Sequence, residues 1–195
     1  MLKKYENYLE ILNGYLTKYF DNQREYIHCK AGCSICCEHG QYPYSEIEYK
    51  YLAEGFDKLD EKTKIAVKST IQQIKNDQLN SKEEKFFYKC PLLVDGKCSV
   101  YENRGIICRI YGLMYFYEDK EGNDKFAMPC CVSNGLNYSE VYDEETKTIS
   151  GEMYSKSGIS AEPLSYNLGL KYLLNNEFTK EIEFGANKSL IDWFD

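Results

Sequence analysis

Apolar residues recur at three- and four-residue steps from the start of the chain: Leu2, Tyr5, Leu9, Leu12, Leu16, Tyr19 and Phe20. That period is one face of a helix and predicts an amphipathic helix over about residues 2–26, slightly weakened by Gly14. Ser45-Glu46-Ile47-Glu48 has the spacing of a capping box, so a helix begins near residue 46, with Gly55 as a candidate end. Ile65, Val67, Ile71 and Ile74 predict another helix over about 60–78. The polar stretch 75–85 reads as a connector.

Beyond it the pattern shortens. Leu92-Leu93-Val94, then Asp95-Gly96, then Lys97-Cys98-Ser99-Val100 predicts a hairpin with a type I′ turn, because Asp-Gly supplies the positive φ angles such turns need. Tyr101 to Tyr111 reads as helical or turn-like. Leu113–Tyr117 and Lys125–Met128 flank Glu121-Gly122-Asn123-Asp124 and predict a second hairpin. Residues 138–150 add strands, and Pro163 opens a last helix over about 164–177. Leu190, Ile191, Trp193 and Phe194 should pack onto the body or a partner. The expected class is α+β: helices around a small antiparallel sheet, organised by a cysteine-bound metal centre. We read residues 1–195 as a single domain, with an N-terminal helix (1–26), a cysteine-cluster core (29–131) and a C-terminal extension (132–195).

Composition narrows the function. A chain of 195 residues buries roughly 70 % of its unfolded surface, so it does not need disulfides to fold. The net charge of −7, with no basic, aromatic-interleaved segment, predicts no nucleic-acid partner. The basic start is interrupted by Glu6, Asn7, Glu10 and Asn13, unlike a secretory signal, and no run of about 18 apolar residues exists. The expected location is the cytoplasm, without membrane attachment. The nineteen tyrosines fall largely at helical spacing with Leu and Ile and read as packing. Ser–His–Asp sets, a P-loop and a dinucleotide fingerprint are all missing, which argues against common hydrolases, nucleotide-driven enzymes and Rossmann dehydrogenases.

The nine cysteines carry the chemistry: Cys29, Cys33, Cys36, Cys37, Cys90, Cys98, Cys108, Cys130 and Cys131. An odd number in a chain read as cytoplasmic argues against a disulfide framework. Buried thiols acting as small hydrophobes would be scattered, whereas four of these nine fall within nine residues. Thiolates suit zinc, cuprous copper and iron–sulfur centres. On a straight helix Cys29 and Cys36 would lie about 10 Å apart along the axis, too far for one zinc. Either the backbone turns, as Gly32 permits, or the cysteines divide between sites. Adjacent Cys36 and Cys37 point differently in a regular backbone, which favours two sites, a cluster, or a non-ligand role for one. The hairpin brings Cys90 and Cys98 together, and the following turn can return Cys108 to them. Cys29-x3-Cys33-x2-Cys36 also has the radical S-adenosylmethionine spacing, but those enzymes resemble partial (β/α) barrels, and no alternation of strands and helices follows residue 36.

Cys33-Ser34-Ile35-Cys36-Cys37, then Cys90-Pro91-Leu92-Leu93, Cys98-Ser99-Val100-Tyr101, Arg104 and Cys108-Arg109-Ile110-Tyr111, resembles the YkgJ-like cysteine-cluster family. This CxxCxxCC group is described as a zinc- or iron-chelating domain. The resemblance covers about residues 29–131. It departs at Gly105, where the family usually has Pro. It implies Cys33, Cys36, Cys37, Cys90, Cys98 and Cys108 as the foremost metal ligands, then Cys29, Cys130 and Cys131. Arg104 and Arg109 are positive groups near these thiols, placed either to stabilise a thiolate–metal centre or to pair with surface carboxylates. His28 and His39 flank the first cluster and read as surface residues. The implied cofactor is an iron–sulfur cluster ([4Fe–4S]) or zinc: dispersed cysteines suit the first, and closely paired ligands, of which only Cys33/Cys36 qualifies, the second. The implied function is metal binding, with a metal ion or cluster and a possible protein partner. The alternatives are a cluster-bearing enzyme related to protein lysine N-methylation with S-adenosylmethionine, and a thiol redox sensor.

Overall fold

The N-terminal apolar stripe folds as α1 (Leu2–Asn22), with Tyr5, Leu9, Leu12 and Leu16 buried. A 3₁₀ turn at Arg24–Tyr26 follows, so the α-helix stops earlier than the expected residue 26. The computed structural model describes residues 1–30 and 32–194. The chain divides into two compact units. The first comprises Met1–Tyr5, Gly32–Arg109 and Ile182–Asp195; the second comprises Glu6–Ala31 and Ile110–Glu181.

In the first unit, α2 (Ile35–Glu38) leads to β1 (Pro43–Ser45) and α3 (Glu46–Asp57). The capping box forms: the Glu48 carboxylate accepts the Ser45 N–H at 2.9 Å and the Ser45 hydroxyl at 2.6 Å. Gly55 lies inside α3 rather than ending it, because a Cβ there would fall 2.7 Å from Asn103 and the close approach needs a residue without one. The helix α4 (Glu61–Asn80) begins at Asp60, whose carboxylate caps the Thr63 N–H at 2.9 Å. Val67, Ile71 and Ile74 are buried on it, while Ile65 faces solvent. Strands β2 (Leu93–Val94) and β3 (Lys97–Cys98) form the expected hairpin, with positive φ at both Asp95 (49°) and Gly96 (73°). A 3₁₀ turn at Tyr101–Asn103 precedes α5 (Ile106–Ile110).

The second unit carries β4 (Tyr115–Glu118) and β5 (Asp124–Ala127) as an antiparallel hairpin. A further hairpin pairs β6 (Tyr142–Asp143) with β7 (Thr148–Ile149), and α6 (Gly151–Ser157) follows. Its core contains Tyr26, Met114, Tyr138 and Val141. The helix expected over 164–177 does not form. Tyr166–Asn167 instead make β8, parallel to β4, and only α7 (Leu170–Leu173) is helical. The reason is tertiary: Tyr166 stacks on Tyr19 with centroids 3.8 Å apart, and Gly169 presses so close to Tyr117 that a Cβ would meet its Cβ at 2.6 Å. Long-range packing overrides a local helical pattern here.

The C-terminal segment returns to the first unit. Strand β9 (Asn187–Ser189) pairs antiparallel with β1, and Leu190 and Ile191 are buried. Trp193 stacks on Tyr49 at 5.3 Å, and Phe194 meets Tyr49 and Phe56 edge-on. The class is α+β, with small separate sheets in place of the one antiparallel sheet expected, and one of them contains the parallel β4–β8 pair. Among the described residues no helix is long and apolar enough to cross a membrane.

Candidate metal centre

The two units partition the cysteines. Cys33, Cys36, Cys37, Cys90, Cys98 and Cys108 belong to the first unit, and Cys29, Cys130 and Cys131 to the second. None of the nine sulfurs is bridged in a disulfide among the described residues.

Within the first unit, hydrogen bonds draw two of the cysteine-bearing segments together. The Cys90 N–H donates to the Cys37 carbonyl at 2.8 Å, and the Gly40 and Tyr88 backbones pair in both directions at 3.1 Å. The Tyr42 hydroxyl lies 3.4 Å from both the Cys36 and the Tyr88 carbonyls. This ties α2 to the strand-like approach to Cys90. Cys98 then follows on β3, where Leu93 is its cross-strand partner, and Cys108 on α5.

The thiols in these segments feel one another. Burial, then the charges of Cys108, Cys98 and Cys36, holds the Cys90 thiol well above its ordinary range. Burial pushes Cys108 up to about 12, with Cys98 and Cys36 adding to the rise. Cys98 is raised by burial, with a further contribution from Cys36. Cys36 is raised first by its hydrogen bond with the Cys37 side chain and then by burial. Cys36, Cys90, Cys98 and Cys108 therefore form one neighbourhood of desolvated sulfur, which Cys37 adjoins through its hydrogen bond with Cys36. Successive residues on a helix point about 100° apart, yet the short α2 lets the Cys36 and Cys37 side chains hydrogen-bond to each other. Cys33 is exposed ahead of α2.

This neighbourhood is not a finished cage. Among the described residues no three His, Cys, Asp or Glu side chains group closely enough to hold a metal ion. Electrostatic coupling extends further than coordination, so the two observations are compatible. The donor chemistry fits a soft metal: every candidate ligand here is a thiol, and burial disfavours the bare thiolate unless a cation compensates it.

The two arginines part company. Arg104 opposes the rise at Cys36, Cys98 and Cys108. Its guanidinium stacks 3.7 Å over the ring of Tyr101, which is 57 % exposed, and it donates to the Tyr101 carbonyl at 2.9 Å. Arg109 is buried and braces backbone instead, donating from Nε to the Arg104 carbonyl at 3.1 Å and from Nη2 to the Glu102 carbonyl at 2.8 Å. The histidines lie apart from this sulfur group in role. His28 pairs through Nε2 with Glu140 at 2.8 Å, and His39 stacks on Phe87 at 5.0 Å.

Sequence reasoning passed over Tyr44 and Glu48 as site residues. The Tyr44 hydroxyl is 3.6 Å from Cys108 Sγ and accepts the Gly105 N–H at 2.9 Å. Glu48 is buried and accepts the Ile106 N–H at 2.9 Å beside its two bonds from Ser45. Burial raises its carboxyl above the ordinary range, against the pull of those donors. Gly105, where the resembled family has Pro, supplies an N–H that proline lacks.

In the second unit Asn137 is buried and joins three partners. Its Nδ2 donates to Cys29 Sγ at 3.3 Å and to the Gly112 carbonyl at 2.8 Å, and its Oδ1 accepts the His28 N–H at 2.7 Å. Cys130 and Cys131 open the 3₁₀ turn Cys130–Asn134, exposed and buried respectively. No protein-family model, curated protein or solved structure matches this chain.

Proposed function

We propose that this chain is a cysteine-cluster metal-binding protein in which Cys36, Cys37, Cys90, Cys98 and Cys108 hold zinc or an iron–sulfur centre. One observation carries the reading: four thiols from three separated segments, joined by the hydrogen-bonded Cys37, share one desolvated neighbourhood. The resemblance of the cysteine pattern to the YkgJ-like family supports it from the sequence side. A bound metal would supply positive charge to thiolates that burial otherwise disfavours, and its binding free energy would add to folding. The remaining roles belong to the chain. Arg104 offsets negative charge on the sulfurs, Arg109 fixes the 102–104 turn, and the Cys90 and Cys37 backbones hold their segments in register.

Elemental analysis with an absorption spectrum, on protein purified without oxygen, tests the reading. Near-equal iron and sulfide with a broad band near about 400 nm establishes a cluster. One or two zinc per chain and a colourless sample establishes a chelating or structural site. Protein with neither, which takes up neither on reconstitution, overturns metal binding and leaves the thiol redox reading.

A further inference from the structure

We infer that Tyr44 is a positioning residue for Cys108, directing its phenolic proton at that sulfur and so favouring the metal-bound thiolate. The inference rests on the metal-binding reading above. Its ground is the hydrogen-bond inventory of one hydroxyl. Tyr44 is 1 % exposed, so water does not serve its oxygen. The Gly105 N–H at 2.9 Å already occupies that oxygen as acceptor. The phenol retains one proton to donate, and Cys108 Sγ lies 3.6 Å away, within reach for the larger sulfur atom; either atom can donate while Cys108 is a thiol, but a metal-bound thiolate can only accept, which makes Tyr44 the donor.

The ring is held as well as the hydroxyl. A Cβ on Gly105 would fall 2.7 Å from Tyr44 Cε1 and Cζ, and 3.1 Å from Glu48 Oε1. Residue 105 therefore provides both the N–H that orients the hydroxyl and the space the ring needs. The next N–H, from Ile106, goes to Glu48, and Glu48 also holds Ser45 beside Tyr44. The turn 104–106 and the start of α3 thus clamp Tyr44 from two sides, with its donor end toward Cys108. A hydrogen bond into a ligand sulfur draws electron density from it, and such outer contacts typically govern metal affinity by about 10–100-fold.

The test uses the full chain loaded with cobalt(II), whose thiolate-to-metal absorption reports electron density on sulfur. Tyr44→Phe removes the proton and keeps the ring. The expected result is a shifted thiolate-to-cobalt band and about 10–100-fold weaker cobalt binding, in a metal-free chain that still folds cooperatively but melts lower, because the Gly105 N–H loses its acceptor. Gly105→Ala keeps the hydroxyl but displaces the ring, and should shift the band in the same direction. An unshifted band with wild-type affinity in a folded Tyr44→Phe chain overturns the role of Tyr44 while leaving metal binding intact. Should Tyr44→Phe fail to fold, an unshifted band in Gly105→Ala overturns it equally. A wild-type chain that develops no thiolate-to-cobalt band removes the metal-binding reading itself, and this inference with it.

Discussion

Glu48 is a charged side chain in a place where a charge is costly, and its surroundings explain why it persists there. It is 2 % exposed, and its two oxygens serve the Ser45 N–H, the Ser45 hydroxyl and the Ile106 N–H. Two of these donors are backbone groups with no water to turn to. Glu48→Ala should strand both, at about 1–3 kcal/mol each, and lower unfolding free energy by about 2–6 kcal/mol. Urea unfolding of the variant checks this; a loss under about 1 kcal/mol would mean that water enters or the turn relaxes. The cysteines invite a similar contrast. Cys98 shares its desolvated surroundings with Cys36 and Cys108, whereas Cys33 is exposed. Cys98→Ser should therefore reduce bound metal and melting temperature more than Cys33→Ser does. Equal losses measured by elemental analysis and calorimetry would bring Cys33 into the ligand set.

At the scale of elements, local rules and long-range packing divide the fold between them. Asp60→Ala removes the cap on Thr63 N and should cost about 1 kcal/mol, read from thermal unfolding. An unchanged melting temperature would show that the first turn of α4 frays without consequence. Gly169→Ala addresses long-range packing. Its Cβ would collide with Tyr117, so β8 should detach from β4 and the fluorescence of Tyr19 and Tyr166, stacked 3.8 Å apart, should change. This division also explains what the sequence makes legible. The capping box at Ser45–Glu48 and the Asp95-Gly96 turn are local, since each needs only neighbouring residues to satisfy a hydrogen bond or a positive φ. The strand at Tyr166–Asn167 depends on partners at Tyr115 and Phe116, about 50 positions away, and the apolar spacing there imitates a helix. The site divides likewise. Cysteine spacing identifies the segments, because thiols are few and clustered. Tyr44 is one of nineteen tyrosines and meets Cys108 across 64 positions, so no local signal distinguishes it.

For the whole molecule, the raised thiols make stability a function of pH, and the sign depends on metal. Cys36, Cys90, Cys98 and Cys108 all hold their protons more tightly in the folded chain than in the unfolded one, Cys108 up to about 12. Unfolded cysteines ionise near about 8.5, and unfolded tyrosines only near about 10. Below the unfolded thiol pKa both states are protonated, and the stability these groups contribute is fully present. As pH rises past it, the unfolded chain releases protons that the folded chain retains, so stability falls until the folded thiols ionise as well. Between about pH 8 and 9.5, before the tyrosines enter, the metal-free chain should lose unfolding free energy. The slope should approach and then exceed the limit of about 1.4 kcal/mol per pH unit set by a single thiol. Cys90→Ala should flatten it. In the metal-loaded chain the ligands are already deprotonated, so the alkaline loss should shrink and an acid loss take its place as protons compete with metal. Urea midpoints of both forms across this range provide the measurement. A flat profile in the metal-free chain would mean that its thiols are solvated rather than buried, and coincident profiles in the two forms would mean that the metal does not bind through them.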